Sequence, residues 1–220
     1  MSHPYLYFSL SKNYVGYAVG TSHFQAYGNG FINKDIKIIQ IPRVFNKQAV
    51  TEIGNNAFYG AKITSIYIPK TIKRICYNAI SYCNSLSEVR FEANSQLEIV
   101  DKNAFCGCSV VNFDIPKTVK TIDYWDPYEY FFFGVASLKC CSYLGTTDFS
   151  RHLMFHNSPI IRVSQNYPSD KFGKRSVKYK DGSTCGVSNK PFYEEIEKTF
   201  NIRRERFSHV IFFFVLILVS

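Results

Sequence analysis

The stretch from Ile53 to Ile122 repeats itself, and a self-similar period of about 20 to 50 residues decides a fold before local propensities do. Ile53-Gly54-Asn55-Asn56-Ala57-Phe58-Tyr59-Gly60-Ala61 aligns position for position with Ile75-Cys76-Tyr77-Asn78-Ala79-Ile80-Ser81-Tyr82-Cys83 and with Val100-Asp101-Lys102-Asn103-Ala104-Phe105-Cys106-Gly107-Cys108. Each copy is followed by a short apolar alternation: Ile66-Tyr67-Ile68-Pro69, Val89-Arg90-Phe91 and Phe113-Asp114-Ile115-Pro116. The copies start at Ile53, Ile75 and Val100 and the next begins at Ile122, so the first and third intervals are equal and the second is slightly longer. A module of this length cannot bury its own apolar side, whereas copies stacked on one another share a continuous core with a strand in every turn.

Side chains alternate faces along a strand, so the pattern directs Ile66 and Ile68, Val89 and Phe91, Phe113 and Ile115 inward, and Tyr67, Arg90 and Asp114 outward. Small Ala57, Ala79 and Ala104 suit positions where backbones crowd, and Phe58, Ile80 and Phe105 fill the middle of the coil. The succession of Ile, Ala-Phe, Cys, Leu and then Ile-x-Ile-Pro resembles the BspA-like class of leucine-rich repeats. The longer coil, Phe91 to Ile99, is similar to a variant turn of that family. The resemblance implies a leucine-rich-repeat solenoid with a parallel β-sheet on one face, short turn or 3-10 segments on the other, and non-repeat caps at both ends.

The flanks divide the chain into four expected regions. Residues 1–35 read as an N-terminal capping hairpin, with strands in Tyr5 to Leu10 and Tyr14 to Val19 and a second turn at Gly28-Asn29-Gly30. Residues 36–145 hold about five coils. The first ends in Ile39-Gln40-Ile41-Pro42, takes a lengthened return path through Phe45 to Ala49, and re-enters the core at Val50 and Ile53. The last is interrupted by an insertion around Trp125, Asp126 and Pro127, recovers at Val135 and Leu138, and leads to a strand at Cys141-Ser142-Tyr143. Residues 146–188, including a strand at Ile160 to Val163, no longer repeat and are similar to the capping segment of protozoan BspA-like surface proteins. Residues 189–220 read as a helical tail: Phe192, Ile196 and Phe200 form an apolar stripe. The tail ends in an apolar run, Val210 to Val219, of about half the length that spans a bilayer. That run reads as a shortened transmembrane helix, an interfacial anchor making membrane contact through 210–219, or a buried terminal segment. The amino end, with a short apolar run and no basic flank, is a poor secretory signal.

Candidate chemistry is sparse. No Gly-x-Ser-x-Gly elbow and no glycine-rich phosphate loop is present, so no catalytic residue and no cofactor is expected. The seven cysteines match no zinc spacing. Cys83 and Cys108 share one inward slot of successive coils, which points to packing rather than to metal binding or disulfides. His152 and His156 are four apart but have no acidic residue between them and no third ligand. The net charge of +9 permits anionic partners, yet no nucleic-acid motif accompanies it, and none is expected as a partner. Lys171, Lys174, Arg175, Lys178 and Lys180 make a basic face on the expected C-terminal cap.

What remains is the outward row of the sheet: Gln40, Tyr67, Arg90, Asp114 and Ser142, with Ser65, Glu88 and Asn112 two positions earlier in their strands. Strands stack about 4.8 Å apart, so these residues form a ladder, the kind of extended surface solenoids use for binding. The family resemblance implies a non-enzymatic surface protein of the adhesin or surface-antigen type. Its partner would be a protein, such as an extracellular-matrix or cell-surface protein, and its place the cell surface or membrane. The alternative is a soluble intracellular, cytoplasmic scaffold, toward which the poor signal sequence and the lack of an Asn-x-Ser/Thr sequon point.

Overall fold

The computed structural model describes residues 6–11, 13–20, 30, 36–123, 135–155 and 157–192. The Gly28-Asn29 turn, the Trp125 insertion, His156 and the tail from residue 193, with its apolar run, lie outside the described residues. In chain order the strands are β1 (Phe8–Leu10), β2 (Tyr17–Val19), β3 (Ile38–Gln40), β4 (Val44–Phe45), β5 (Gln48–Ile53), β6 (Ser65–Ile68), β7 (Arg74–Ile75) and β8 (Glu88–Phe91). They continue as β9 (Ile99–Val100), β10 (Asn112–Ile115), β11 (Thr121–Ile122), β12 (Cys140–Tyr143), β13 (Ile160–Val163), β14 (Lys171–Phe172) and β15 (Arg175–Ser176).

The repeat folds as a parallel β-solenoid in which the copies aligned in the sequence are also aligned in space. Ile66 lies beside Val89, and Tyr67 beside Arg90, in the β6/β8 pair. Phe113 lies beside Cys141 in β10/β12. A second ladder, six-residue β5 followed by two-residue β7, β9 and β11, runs along another side of the coil and holds the first residue of each copy in register: Ile53, Ile75, Val100 and Ile122. Each coil therefore carries two strands rather than one. The backbone is satisfied from coil to coil: the N–H of Cys76, Asp101 and Asp123 donates to the C=O of Ile53, Ile75 and Val100, each at 2.9 Å. The turns bond in the same stacked manner, with Phe58 N–H on Ala79 C=O at 2.7 Å and Ile80 N–H on Ala104 C=O at 2.9 Å.

Two turn positions explain repeated residues that hydrophobic patterning leaves aside. Asn56, Asn78 and Asn103, equivalent in the three copies, have φ of 56°, 54° and 58°. Asn tolerates this left-handed region better than other residues with a Cβ. Four positions on, Gly60 and Gly107 have φ of 69°, and the equivalent Tyr82 adopts φ 55°. The Cys slot behaves as packing predicts, with one addition: the Cys83 and Cys108 thiols are buried and donate to the C=O of Phe58 and Ile80 in the preceding coil, both at 3.0 Å.

The principal sheet differs from a single run of five strands. β3-β6-β8 and β10-β12-β13 are separate three-stranded ladders. The longer coil falls at the seam, where the rings of Phe91 and Phe113 meet edge to face at 5.7 Å. β13, placed beyond the repeats by its sequence, pairs parallel and in register with β12 and extends the ladder to Val163. At the amino end β1 and β2 form the expected antiparallel hairpin, and β2 joins the second sheet by pairing parallel with β5. The lengthened return path is a β4/β5 hairpin whose two-residue turn, Asn46-Lys47, has both φ positive, as a type I′ turn requires. Phe45 stacks on Phe8 at 4.3 Å and closes that end. The other end is closed by buried Tyr143, Phe149, Phe155, Tyr167 and Phe172, with Tyr143 and Phe172 rings 5.6 Å apart.

Charged groups tie the edges. Arg74 and Asp101 form a two-point pair at 3.0 Å on the outer side of the second sheet. Buried Glu92, just after β8, receives the Arg43 guanidinium at both oxygens and the Lys70 backbone N–H at 2.9 Å. Burial alone would push the Glu92 carboxyl up, but the Arg43 hydrogen bonds, the Lys70 N–H and the two nearby cations outweigh it and hold it below the usual range.

Phe105 is fully buried and edge-on to Phe113 at 4.9 Å. Phe105→Ala should therefore cost about 3 to 5 kcal/mol, read as the loss in urea-unfolding free energy. Gly107→Ala places a Cβ 3.0 Å from the Tyr82 ring at a left-handed φ. It should cost about 1 to 2 kcal/mol in the same measurement. Because the folded-state carboxyl of Glu92 is depressed, its contribution is complete above its ordinary value of about 4.3 and is lost as pH falls through the lower folded value. The melting-temperature gap between the parent and Glu92→Gln should accordingly be widest near neutrality and shrink in acid; a gap independent of pH would contradict the assignment.

Candidate functional site: the outer face of the repeat sheet

The face of the principal sheet directed away from the core carries two rows, because every second residue of a strand shares a face. The first row is Ile38, Ser65 and Glu88 in one ladder, followed by Asn112, Cys140 and Ile160 in the next. The second is Gln40, Tyr67 and Arg90, followed by Asp114, Ser142 and Arg162. All the candidate residues from the sequence, Gln40, Tyr67, Arg90, Asp114, Ser142, Glu88 and Asn112, thus lie on one face in two adjoining rows. Arg162 joins them because β13 continues the ladder, a pairing that repeat spacing does not reveal.

The rows differ in access. In the first, Asn112 is exposed, Ser65 and Glu88 are half-buried, and the apolar side chains of Ile38 and Ile160 are 46% and 45% exposed. In the second, the expectation that Tyr67 and Arg90 face solvent is not met: Tyr67 is 4%, Arg90 6% and Ser142 1% exposed. Several of these groups are covered by the chain's own carboxyl-side segment. Residues 178–182 lie along the edge of β13, with Lys178 N–H on Ile161 C=O at 2.9 Å, Val163 N–H on Tyr179 C=O at 2.9 Å and Gly182 N–H on Val163 C=O at 3.1 Å. From Ser183 the segment crosses the rungs in reverse order, back toward the amino end.

Each rung it passes supplies a contact. Arg162 donates to the Ser183 hydroxyl at 2.6 Å and lies over the Tyr179 ring at 4.2 Å. The Asp114 carboxylate accepts the backbone N–H of Cys185 at 2.7 Å on one oxygen and that of Val187 at 2.9 Å on the other. The Ser142 hydroxyl donates to the same Asp114 carboxylate from the neighbouring strand. Between the two captured N–H groups lies Gly186, whose φ is positive. The backbone there forms a concavity of the kind that binds anions. Arg90, held by Glu88 at 2.7 Å, donates to the Lys190 C=O at 3.2 Å and stacks at 4.1 Å on the ring of Phe192, which is buried.

A disulfide joins this segment to the sheet. Cys185 is bonded to Cys140 of β12, 45 residues earlier. The packing role assigned to the cysteines holds for Cys76, Cys83, Cys106, Cys108 and Cys141, which are buried and form no disulfide, and is corrected for Cys140 and Cys185. Cys140 and Cys141 are adjacent in one strand and so point to opposite faces: Cys141 enters the core, and Cys140 meets the crossing segment. Alternation in the strand would have separated the two; what sequence spacing could not supply was the return of Cys185 over β12.

Elsewhere the basic residues of the carboxyl-terminal region divide. Lys171 and Lys174 border an open depression with Ser150, Arg151 and Ser169, whereas Arg175 turns inward to the Phe155 C=O at 3.2 Å. Burial holds the His152 imidazole below its usual range, and its ring lies edge to face with Phe149 at 5.1 Å. Among the described residues no cluster of three or more His, Cys, Asp or Glu side chains is placed to hold a metal ion. Among them also, no helix is long and apolar enough to cross a membrane.

Comparison with known proteins bears on this architecture. A leucine-rich repeat protein from Bacteroides capillosus is 23% identical over 64% of this chain and 94% of its own, with a TM-score of 0.46. The pneumococcal vaccine antigen PcpA is 17% identical over 83% of this chain and 50% of its own, with a TM-score of 0.48. A leucine rich cell surface protein from Faecalibacterium prausnitzii is 17% identical over 86% of this chain and 56% of its own, with a TM-score of 0.41. This chain thus spans about half the length of the last two. No curated protein matches. The family model for the BspA type leucine rich repeat region matches six copies across residues 29–139, half of the chain, on the same residues that build the stacked coils. The chain belongs to the BspA-type leucine-rich repeat family.

Proposed function

We propose that the chain is a non-enzymatic surface protein of the adhesin or surface-antigen type, which binds other proteins or cells through the outer face of its repeat sheet. The observation that carries this reading is the accessible part of the first row of that face, where exposed Ile38 and Ile160 stand at the two ends and Ser65, Glu88 and Asn112 lie between them, Cys140 alone being bonded to the crossing segment. Apolar side chains bordered by polar ones on a fixed surface are what a protein interface requires. The Cys140–Cys185 disulfide supports placement outside the reducing cytosol, because structural disulfides persist in oxidising compartments. It weighs against the intracellular scaffold. The division into an amino-terminal cap to residue 35, repeats over 36–145, a cap over 146–188 and a tail from 189 belongs to the same reading, the tail serving as the membrane contact.

The test combines location with binding. Intact cells labelled with a membrane-impermeant reagent should yield labelled protein, and the purified chain should bind cells or immobilised matrix proteins. Ile38→Asp with Asn112→Arg changes two exposed positions and should leave the melting temperature unchanged while reducing binding about tenfold or more, the scale of lost interface anchors. Undiminished binding by that variant, with loss in Lys174→Glu, would move the site to the basic depression. A folded parent that binds no extracellular material would overturn the adhesin reading.

A further inference from the structure

The second row presents a different kind of surface. It is occupied, and the groups that occupy it are those of a bound peptide: two backbone N–H groups on a carboxylate, one C=O on a guanidinium, and one aromatic ring stacked on that guanidinium. Asp114 and Arg90 sit on strands that belong to separate ladders on either side of the seam, so one segment bridges it. The segment from Ser183 to Asn189 has no charged side chain, and apart from the disulfide and the Ser183 hydroxyl that accepts from Arg162 it is held through its backbone, with the Phe192 ring following. A carboxylate that accepts N–H groups on both sides of a left-handed residue selects for glycine at that residue. Here it is Gly186, with positive φ.

We propose that the second row is a peptide-binding groove, that residues 183–192 are its occupant in cis, and that the Cys140–Cys185 disulfide keeps that occupant in place. The ligand in trans is a peptide segment of a partner protein with the same chemistry: a glycine flanked by two free backbone N–H groups, followed six positions later by an aromatic side chain. The inference rests on the outer face being the binding surface, and not on the identity of any host partner. Cys140 and Cys185 are both half-buried at the surface, so a thiol reductant in solution reaches the bridge. A dithiol attacks the bridge through a mixed disulfide. It leaves as its own cyclic disulfide, and Cys140 and Cys185 each take up a proton as thiols. The segment is then held by hydrogen bonds and one cation–aromatic contact alone, and competes with peptides in solution.

Hydrogen exchange on the full chain tests the gate. On mild reduction with a dithiol the amides of Cys185 and Val187 should exchange about tenfold faster or more, while those of β6 and β8 keep their protection. Unchanged protection at 185 and 187 after the bridge is shown to be reduced would overturn the gate. The groove is tested with a fluorescent peptide of residues 183–192 carrying Cys185→Ser. It should bind saturably to full-length protein carrying Cys185→Ser and Phe192→Ala, and about tenfold more weakly when Asp114→Asn is added or when the peptide carries Gly186→Ala. Exchange in β6 and β8 verifies that each variant remains folded. No binding to the folded, released protein, or equal binding by the Gly186→Ala peptide, would overturn the groove. Peptide binding without cell or matrix binding leaves the groove standing and removes the adhesin reading; the reverse pattern removes the groove alone.

Discussion

Everything in this molecule depends on the hydrogen bonding of one coil to the next. A coil closes no core of its own, so its backbone N–H and C=O groups and its apolar side chains are satisfied only by neighbours. The bonds from Cys76, Asp101 and Asp123 to Ile53, Ile75 and Val100 hold the coils at one spacing. That spacing brings Ala57, Ala79 and Ala104, and then Phe58, Ile80 and Phe105, into stacked, fully buried columns. Left-handed Asn56, Asn78 and Asn103 let the chain turn sharply enough to return within one short coil. The longer coil, Phe91 to Ile99, coincides with the seam between β8 and β10, whereas β3/β6 and β10/β12, further apart in sequence, stay in register.

A stack of this kind has two open ends, each of which must hide apolar side chains and unpaired strand edges. The amino end is covered by the β1/β2 hairpin, whose connecting loop also brings Asn13 to the buried carboxylate of Glu52 at 2.6 Å. The carboxyl end is covered by an aromatic cluster in which the Tyr143 hydroxyl donates to the Val119 C=O at 2.7 Å and the Tyr167 hydroxyl accepts the Phe149 N–H at 2.9 Å. The edge of β13 is paired by residues 178–182. The same segment then runs back over the outer face, so capping and occlusion of the second row are one continuous structural act.

The outer face is consequently uneven in what it offers. Its first row combines apolar and polar side chains in the open. Its second row includes three charged groups, Arg90, Asp114 and Arg162, that find partners in a segment more than seventy residues beyond the first two. Burying such charges without partners would be costly, and the crossing segment supplies them with backbone N–H, C=O and aromatic faces.

The repeat alone was enough to determine the solenoid, the inward positions, and the neighbour relations of Tyr67 with Arg90 and of Phe113 with Cys141, because a fixed period places equivalent residues on the same side of every coil. The recurring Asn56, Asn78 and Asn103 carried a readable signal too, as left-handed positions rather than as surface polar residues. Tertiary structure decided the rest. Strands β7, β9 and β11 of the second ladder are two residues each, too short to show the alternation that marks a strand in the sequence. The in-register addition of β13, the Cys140–Cys185 bond and the burial of Tyr67, Arg90 and Ser142 lie beyond the repeat. At least the bond and the cover over Arg90 and Asp114 come from residues 183–192 folding back across strands up to a hundred positions earlier, and a non-repeating segment carries no periodic signal of where it will land.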